Sequence, residues 1–283
     1  MVFSGFRVII FPAVMKVLRY LDSHLYRSAM HTNEFENQYQ VRYYETGLNC
    51  ELHITTLMCY FEEVALLQSE SRNVGLQYYN DNNVIWILNK WNITIQKAPV
   101  FGQVIRVKTL PVSLYGFMGY RKYWVFDQAG STLATADSAW IFLNSVNKRP
   151  LRINDDMKRA YGHNGQPESK LEMPAVPAIN NPMYVKELEV LKADIDLARH
   201  AHNTRYVHWA LETLPDTFQA ENRLINLTVE YKKETTLGQA ITTETELVPQ
   251  SGTTLCVHRI TAGDKGVACV LSTLWEPRKV NQY

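Results

Sequence analysis

Asp196, His200 and Asn203 lie close together in the stretch Asp194-Ile195-Asp196-Leu197-Ala198-Arg199-His200-Ala201-His202-Asn203-Thr204-Arg205-Tyr206. Glu234 follows about thirty residues later in Lys232-Lys233-Glu234-Thr235-Thr236-Leu237-Gly238. Two carboxylates and an imidazole at this spacing are the groups that activate water: a carboxylate takes its proton, and an imidazole stabilises charge or protonates a leaving group. Asp196 and His200 are four apart, just ahead of a helix expected to start near His200–Asn203. Backbone N–H groups at a helix start have no intrahelical acceptor, so they can polarise a carbonyl or hold an oxyanion. An acyl carbonyl brought there would meet carboxylate and imidazole together, which suits hydrolysis by water or through an acyl-enzyme. Read without chemistry, Asp196 and His200 cap a helix and Glu234 is a solvated strand-edge charge. The setting of Glu234, amid strand hydrophobics and before Thr-Thr-Leu-Gly, favours the chemical reading.

Other chemistries lack their signatures. There is no G-x-S-x-G elbow, no G-x-x-x-x-G-K-[ST], no H-E-x-x-H and no G-x-G-x-x-G, which removes the standard serine-hydrolase, P-loop, zincin and dinucleotide readings. His200 and His202 form an H-x-H pair with His208 nearby, but that spacing shares a face only on a strand, and at a helix start the two rings point apart. No metal and no cofactor are therefore expected. Cys50, Cys59, Cys256 and Cys269 make no C-x-x-C pair and read as small core residues in a reducing, cytoplasmic setting. With 29 basic and 28 acidic residues, a net charge of +1 creates no global field for nucleic acid.

The elements that must position these groups follow from periodicity. Leu57, Tyr60, Phe61, Val64 and Ala65 recur at helical spacing, predicting a helix over Thr55 to about Ser69 capped by Thr55 or Thr56. Strand-like runs follow at Asn83–Lys97, Gln103–Ser113, Gly119–Asp127 and Thr132–Leu143. From about Asn144 to Val190, Pro150, Pro167, Pro174, Pro177 and Pro182 break any sustained period, so this stretch reads as linker, with a short helix near Asp155–Tyr161. The pattern then returns: a helix with Asn203, Tyr206, Val207, Ala210, Leu211 and Leu214, ended by Pro215, then strands at Arg223–Glu234, Gly238–Val248, Thr253–Ala262 and Gly266–Trp275.

The two halves align by residue. Ile93, Ile95, Lys97, Gly102, Gln103 and Ile105 match Val229, Tyr231, Lys233, Gly238, Gln239 and Ile241 at one offset of 136. A helix followed by a long antiparallel sheet, twice, implies α+β units in which each helix buries its apolar stripe on the concave sheet face. Side by side, the units would form one continuous sheet with a slot between helix and sheet for an apolar ligand.

At these residues the sequence resembles the acyl-acyl-carrier-protein thioesterases, bacterial and plastid, over about Tyr39 to Trp275. The resemblance is carried by Val41-Arg42-Tyr43-Tyr44-Glu45-Thr46-Gly47, Thr56-Leu57-Met58 with Glu62-Glu63-Val64-Ala65, Asn83-Val84-Ile85-Trp86, Pro99-Val100-Phe101-Gly102, Asp194–Tyr206 with Trp209-Ala210-Leu211-Glu212, and Glu230-Tyr231-Lys232-Lys233-Glu234. It implies two tandem hotdog domains, each a long antiparallel sheet wrapped around one central helix. It also implies a catalytic set on the second: an aspartate matched by Asp196, a histidine by His200, a glutamate by Glu234 and a further asparagine by Asn203. Ala198 stands where the family usually has asparagine, and Thr235 where plastid members have cysteine. The latter argues against a cysteine nucleophile.

The expected organisation is an extension at 1–29, a first hotdog at 30–150 holding the acyl chain, a linker at 151–190 and a catalytic second hotdog at 191–283. The extension has a short apolar run broken by Pro12, too short to span a bilayer, so no integral membrane segment is expected. The expected activity is hydrolysis of fatty acyl-acyl-carrier-protein, with the chain under the helix bearing Met58, Phe61 and Ala65 and against Trp86. An acyl-CoA thioesterase and a non-catalytic acyl-binding protein are the alternatives. The expected partners are an acyl carrier protein and the acyl thioester, with a homodimer left open. Lys232, Lys233, Arg205, Arg121 and Lys122 are the candidates to meet an acidic carrier.

Overall fold

The computed structural model describes residues 33–165 and 167–278; the expected extension at 1–29 lies outside them. The first half contains β1 (Phe35–Gln40), α1 (Ile54–Ser71), α2 (Leu76–Asn82), β2 (Val84–Ile95), β3 (Val104–Tyr115), β4 (Met118–Phe126) and β5 (Thr132–Asn144). A short helix α3 (Asp155–Ala160) follows. The second half repeats the plan with β6 (Tyr184–Glu189), α4 (Asn203–Leu211), α5 (Asp216–Glu221), β7 (Asn222–Tyr231), β8 (Ala240–Gln250), β9 (Thr253–Ala262) and β10 (Val267–Pro277). All ten strands join one antiparallel sheet in the order β1-β3-β4-β5-β2-β7-β10-β9-β8-β6.

The halves meet at β2 and β7, where Lys90 pairs with Glu230, Asn92 with Thr228 and Thr94 with Asn226. Thr228 is also the residue that the repeat offset assigns to Asn92 (228 − 92 = 136). A position that lies opposite its own counterpart marks a pseudo-two-fold axis through the sheet at that pair. One apolar core runs across the axis: Leu57, Met58, Phe61 and Val64 of α1 join Tyr206, Val207, Trp209 and Ala210 of α4. Each helix is held by burying this stripe, since isolated helices of their length are marginal in water.

The structure revises several sequence expectations. α1 starts at Ile54 with His53 before it, so Thr55 and Thr56 fall inside the first turn and do not cap it. The stretch expected as linker, 151–190, contains β6, an edge strand of the second sheet half that pairs with β8. Its sequence, Tyr-Val-Lys-Glu-Leu-Glu, alternates in burial but not in polarity over only six positions, so it carries no strand period and hides among prolines. β7 ends at Tyr231, three residues before Glu234. There the N–H groups of Lys232 and Lys233 both donate to the carbonyl of Ala268 (2.8 and 3.0 Å), and the chain leaves the ladder. Cys256 and Cys269 are buried, but Cys50 and Cys59 are exposed; all four are free thiols.

The cores of the two halves differ in chemistry. In the first, Phe61 packs on Trp91 and Tyr123 at 5.6 and 5.0 Å between ring centroids. In the second, His258 is fully buried between two threonines: Nδ1 lies 2.7 Å from Thr245 Oγ1 and Nε2 lies 3.0 Å from Thr273 Oγ1. Thr213 extends this chain at Thr245, and Trp275 donates to Thr273 at 2.8 Å. Burial pushes the His258 pKa down from 6.5 to about 3, so the ring is neutral and uses one nitrogen as donor and one as acceptor. Among the described residues no helix is long and apolar enough to cross a membrane.

Candidate active site

The segment before α4 is a tight loop built by its own backbone and one carboxylate. Asp194 is buried, accepts from the N–H of Leu191 at 2.8 Å and pairs with Arg205 at 2.6 Å. Ile195 and Ala201 then bridge as in a strand pair. Between them the Asp196 N–H donates to the His200 carbonyl at 2.9 Å, and Arg199 takes a left-handed conformation with φ of 65°. The Asp196 carboxylate accepts from the N–H groups of Ala198 (2.8 Å) and His200 (3.3 Å), the local turn that aspartate side chains favour. Asp196 thus fixes the loop that carries His200.

This geometry projects His200 toward Glu234, with Nε2 3.1 Å from Glu234 Oε2, both side chains partly exposed. Glu234 reaches it because the next residue is anchored: Thr235 is fully buried, its carbonyl accepts from the Ala201 N–H at 2.9 Å, and its N–H and Oγ1 lie 2.9 and 3.0 Å from the Tyr206 hydroxyl. Of the expected set, His200 and Glu234 are brought together, Asp196 stands behind them, and Asn203 opens α4. The Asn203 carbonyl accepts from the Tyr231 hydroxyl at 3.1 Å, and its Oδ1 is buried without a partner among the described residues.

The expected backbone oxyanion hole over His200–Asn203 is mostly spent. The N–H of His200 donates to Asp196, that of Ala201 to Thr235 and that of His202 to Asp194. They hold the loop in shape, and only Asn203 at the start of α4 keeps an N–H with no acceptor among the described residues.

His202 is a functional candidate that sequence reading placed only in an H-x-H pair. Its Nδ1 caps α4 against Thr204, and its Nε2 lies 3.3 Å from Glu62 Oε2 on α1 of the other half. The hydrogen bond that His202 donates to Glu62 holds its pKa above the usual value despite partial burial. The two histidines therefore meet different carboxylates, and among the described residues no group of three or more His, Cys, Asp or Glu side chains is arranged for a metal ion. The available signal was Glu62 itself, a carboxylate next to the apolar stripe of Leu57, Phe61 and Ala65.

Glu62 also borders a cavity of about 800 Å³ in the first half, running along α1 past Ala65 and Ser69 and against Trp86, Trp140 and Arg121. Ala65 and Trp86 line it, as expected. Met58 and Phe61 do not: both are wholly buried in the core, toward the N-terminal end of the same helix. Arg121, expected at a carrier surface, is buried in the cavity wall, and Arg205 is held by Asp194. The Trp86 ring lies so close over Gly119 that a Cβ there would sit 2.8 Å from it, which explains the glycine.

Residues 32–161 match the acyl-ACP thioesterase N-terminal domain and residues 180–277 the acyl-ACP thioesterase C-terminal domain. The chain belongs to the acyl-ACP thioesterase family. Within that family it is 25% identical over 265 residues to a chloroplastic palmitoyl-acyl carrier protein thioesterase of Gossypium hirsutum, covering 86% of this chain and 64% of the relative. It is 26% identical over 220 residues to a chloroplastic oleoyl-acyl carrier protein thioesterase of Arabidopsis thaliana, covering 71% and 59%. The chain thus spans less than two thirds of the length of these relatives. Among solved structures, a 12:0-ACP thioesterase from Umbellularia californica superposes with a TM-score of 0.78 at 20% identity, covering 90% of this chain and 100% of that one. An acyl-ACP thioesterase from Bacteroides thetaiotaomicron superposes with a TM-score of 0.76 at 18% identity, covering 88% and 100%. The fold is the paired hotdog of this family.

Proposed function

We propose that the protein is a thioesterase that hydrolyses fatty acyl thioesters of an acyl carrier protein, releasing free fatty acid and carrier and so ending or diverting fatty acid synthesis. The observation that carries this reading is the 3.1 Å contact of His200 with Glu234 on a loop whose neighbour His202 touches Glu62 at the border of the acyl-sized cavity. The first hotdog holds the chain and the second carries the chemistry. Glu234 takes a proton as water oxygen bonds to the thioester carbonyl carbon, and the carbonyl oxygen becomes the oxyanion. When the C–S bond breaks, His200 gives a proton to the leaving thiolate and regains one from Glu234 across their contact, which resets the pair. The Asn203 N–H and the start of α4 favour the oxyanion. Asp196 positions His200 through the loop. Direct attack by water is supported over an acyl-enzyme because Thr235, in the place of the plastid cysteine, is buried and bonded to Tyr206.

Lys232 and Lys233, exposed beside Glu234, offer positive charge to an acidic carrier protein. Free thiols at all four cysteines are compatible with a cytoplasmic setting. The deciding experiment is thiol release from carrier-protein and CoA thioesters of equal chain length, with Glu234→Ala and His200→Ala as controls. Faster release from the carrier thioester, lost by roughly 10²–10⁴-fold in each variant, is expected. Full activity in both variants would sink the assignment of the pair. Intact acyl binding without any thiol release would make the protein an acyl-binding member of the fold.

A further inference from the structure

Arg121 is the least expected residue in the cavity. It is 8% exposed, lines the cavity from β4, and has no carboxylate partner among the described residues. One terminal nitrogen donates to Gln68 Oε1 and to Thr109 Oγ1, the latter at 3.3 Å, and the guanidinium stacks 5.0 Å from the Tyr161 ring centroid. A guanidinium has five N–H donors, so most of them have no acceptor among the described residues. Hydroxyls gather beside it. Ser69 Oγ donates to the Ala65 carbonyl at 2.9 Å and lies 2.7 Å from the Tyr161 hydroxyl. The Tyr79 side chain lies beside both and also lines the cavity. Trp86, whose ring covers Gly119 two positions before Arg121 on the same strand face, has a buried Nε1–H with no acceptor among the described residues.

Leu66, Leu76, Val84 and Leu114 supply the apolar wall that an alkyl chain requires, while Asn80, Asp81, Asn83 and Ser145 also line the cavity. The Arg121 corner does not suit such a chain. A saturated chain pressed there would strip water from a buried cation and leave its donors unpaired, the costly case for a polar group. An oxygen on the chain would fill them. The position along the chain also follows from the geometry. Glu62, where the cavity meets the catalytic half, and Ser69, at the polar corner, are seven residues apart on α1, about 10 Å along its axis. Resting on the thioesterase reading above, we infer that the cavity selects acyl chains bearing a hydroxyl, keto or carboxyl oxygen in their distal part, with Arg121 as the specificity-determining residue.

The test compares chain-length series of saturated, ω-hydroxy and ω-carboxy acyl-carrier thioesters by kcat/KM, and the matching free acids by calorimetric binding, in the wild type and Arg121→Met. At the best length an oxygenated chain is preferred over its saturated counterpart by roughly tenfold or more, and the ratio collapses toward one in Arg121→Met. Tyr79→Phe removes one hydroxyl, keeps the ring, and lowers the ratio in part; it stands in where Arg121→Met does not fold. If Arg121 only braces α1 against β3 through Gln68 and Thr109, the melting temperature of the variant falls and the ratio does not move, which overturns the inference. Equal handling of saturated and oxygenated chains by the wild type overturns it as well. Hydrolysis without discrimination refutes this inference alone, whereas discrimination in binding without hydrolysis refutes the thioesterase reading and leaves the inference standing.

Discussion

The loops 46–52 and 195–201 have the same backbone and opposite chemistry. Both are closed by a strand-like bridge, Thr46 to Leu52 and Ile195 to Ala201. Both have a left-handed residue at the same place, Cys50 at φ 55° and Arg199 at φ 65°. Their hydrogen bonds correspond: Gly47 N–H to Glu51 O (3.0 Å) with Asp196 N–H to His200 O (2.9 Å), Leu52 N–H to Pro99 O (2.8 Å) with Ala201 N–H to Thr235 O (2.9 Å). Both lead through a histidine, His53 or His202, into the central helix of their half. In the first half, Glu51 stands in the place of His200 and is clamped by Arg278 through two bonds of 2.9 and 2.6 Å. Ala98, the residue before Pro99, stands in the place of Glu234. The candidate active site therefore needs no special backbone. What separates the two turns is side chains: Glu51 with Arg278 at one, His200 with Glu234 at the other.

That contrast can be broken at several levels. The largest effect is expected at the proposed pair of His200 and Glu234, whose alanine variants lose roughly 10²–10⁴-fold in turnover with an unchanged melting temperature. Asp196→Ala comes next: it releases the N–H groups of Ala198 and His200, and kcat falls by about ten- to a hundredfold with little change in KM. Asp196→Asn, which keeps an acceptor oxygen, recovers part of that loss. A purely structural aspartate would instead lower the melting temperature equally in both variants and leave kcat intact.

The second half should also be the acid-sensitive one. The folded pKa of His258 lies below its unfolded value of 6.5, at about 3. Unfolding then takes up a proton below pH 6.5, so the contribution of His258 is fully present above that pH and is lost as pH falls toward 3. The slope is up to about 1.4 kcal/mol per pH unit. His202, raised by Glu62, has the opposite sign, and its contribution is lost as pH rises through its folded pKa. Urea midpoints at pH 7 and pH 5 measure the balance, and His258→Gln flattens the slope; an unchanged slope would mean that His258 is not the buried neutral ring described. The smallest effect is at the sealed loop. Glu51→Ala leaves turnover unchanged and costs less than about 1 kcal/mol, because the ion pair is partly exposed and screened by solvent. A large loss of turnover there would show that the first loop is not inert.

Much of this was legible in the sequence because long strands and amphipathic helices announce themselves by period. The offset of 136 lands on the pseudo-two-fold axis at Asn92 and Thr228. The six-residue edge strands β1 and β6 gave too short and too polar a pattern to stand out. Met58, Phe61 and Ala65 share one apolar stripe and one core cluster, yet only Ala65 also reaches the cavity; periodicity gives a stripe, not what lies opposite each part of it. Arg121 looked like a surface charge because nothing local records that α1 and the stretch around Tyr161 close over it. The Glu62–His202 contact joins residues far apart in sequence, and no spacing rule reaches across two halves.

The axis through Asn92 and Thr228 has one more consequence. In a dimer of identical one-hotdog chains, both turns would be encoded by the same codons, and any substitution would appear at both. Here a single polypeptide crosses the axis, so each turn mutates on its own. Covalent fusion therefore allows an arginine clamp at one turn and a histidine with a glutamate at the other, and a chamber in the first half that the second need not copy.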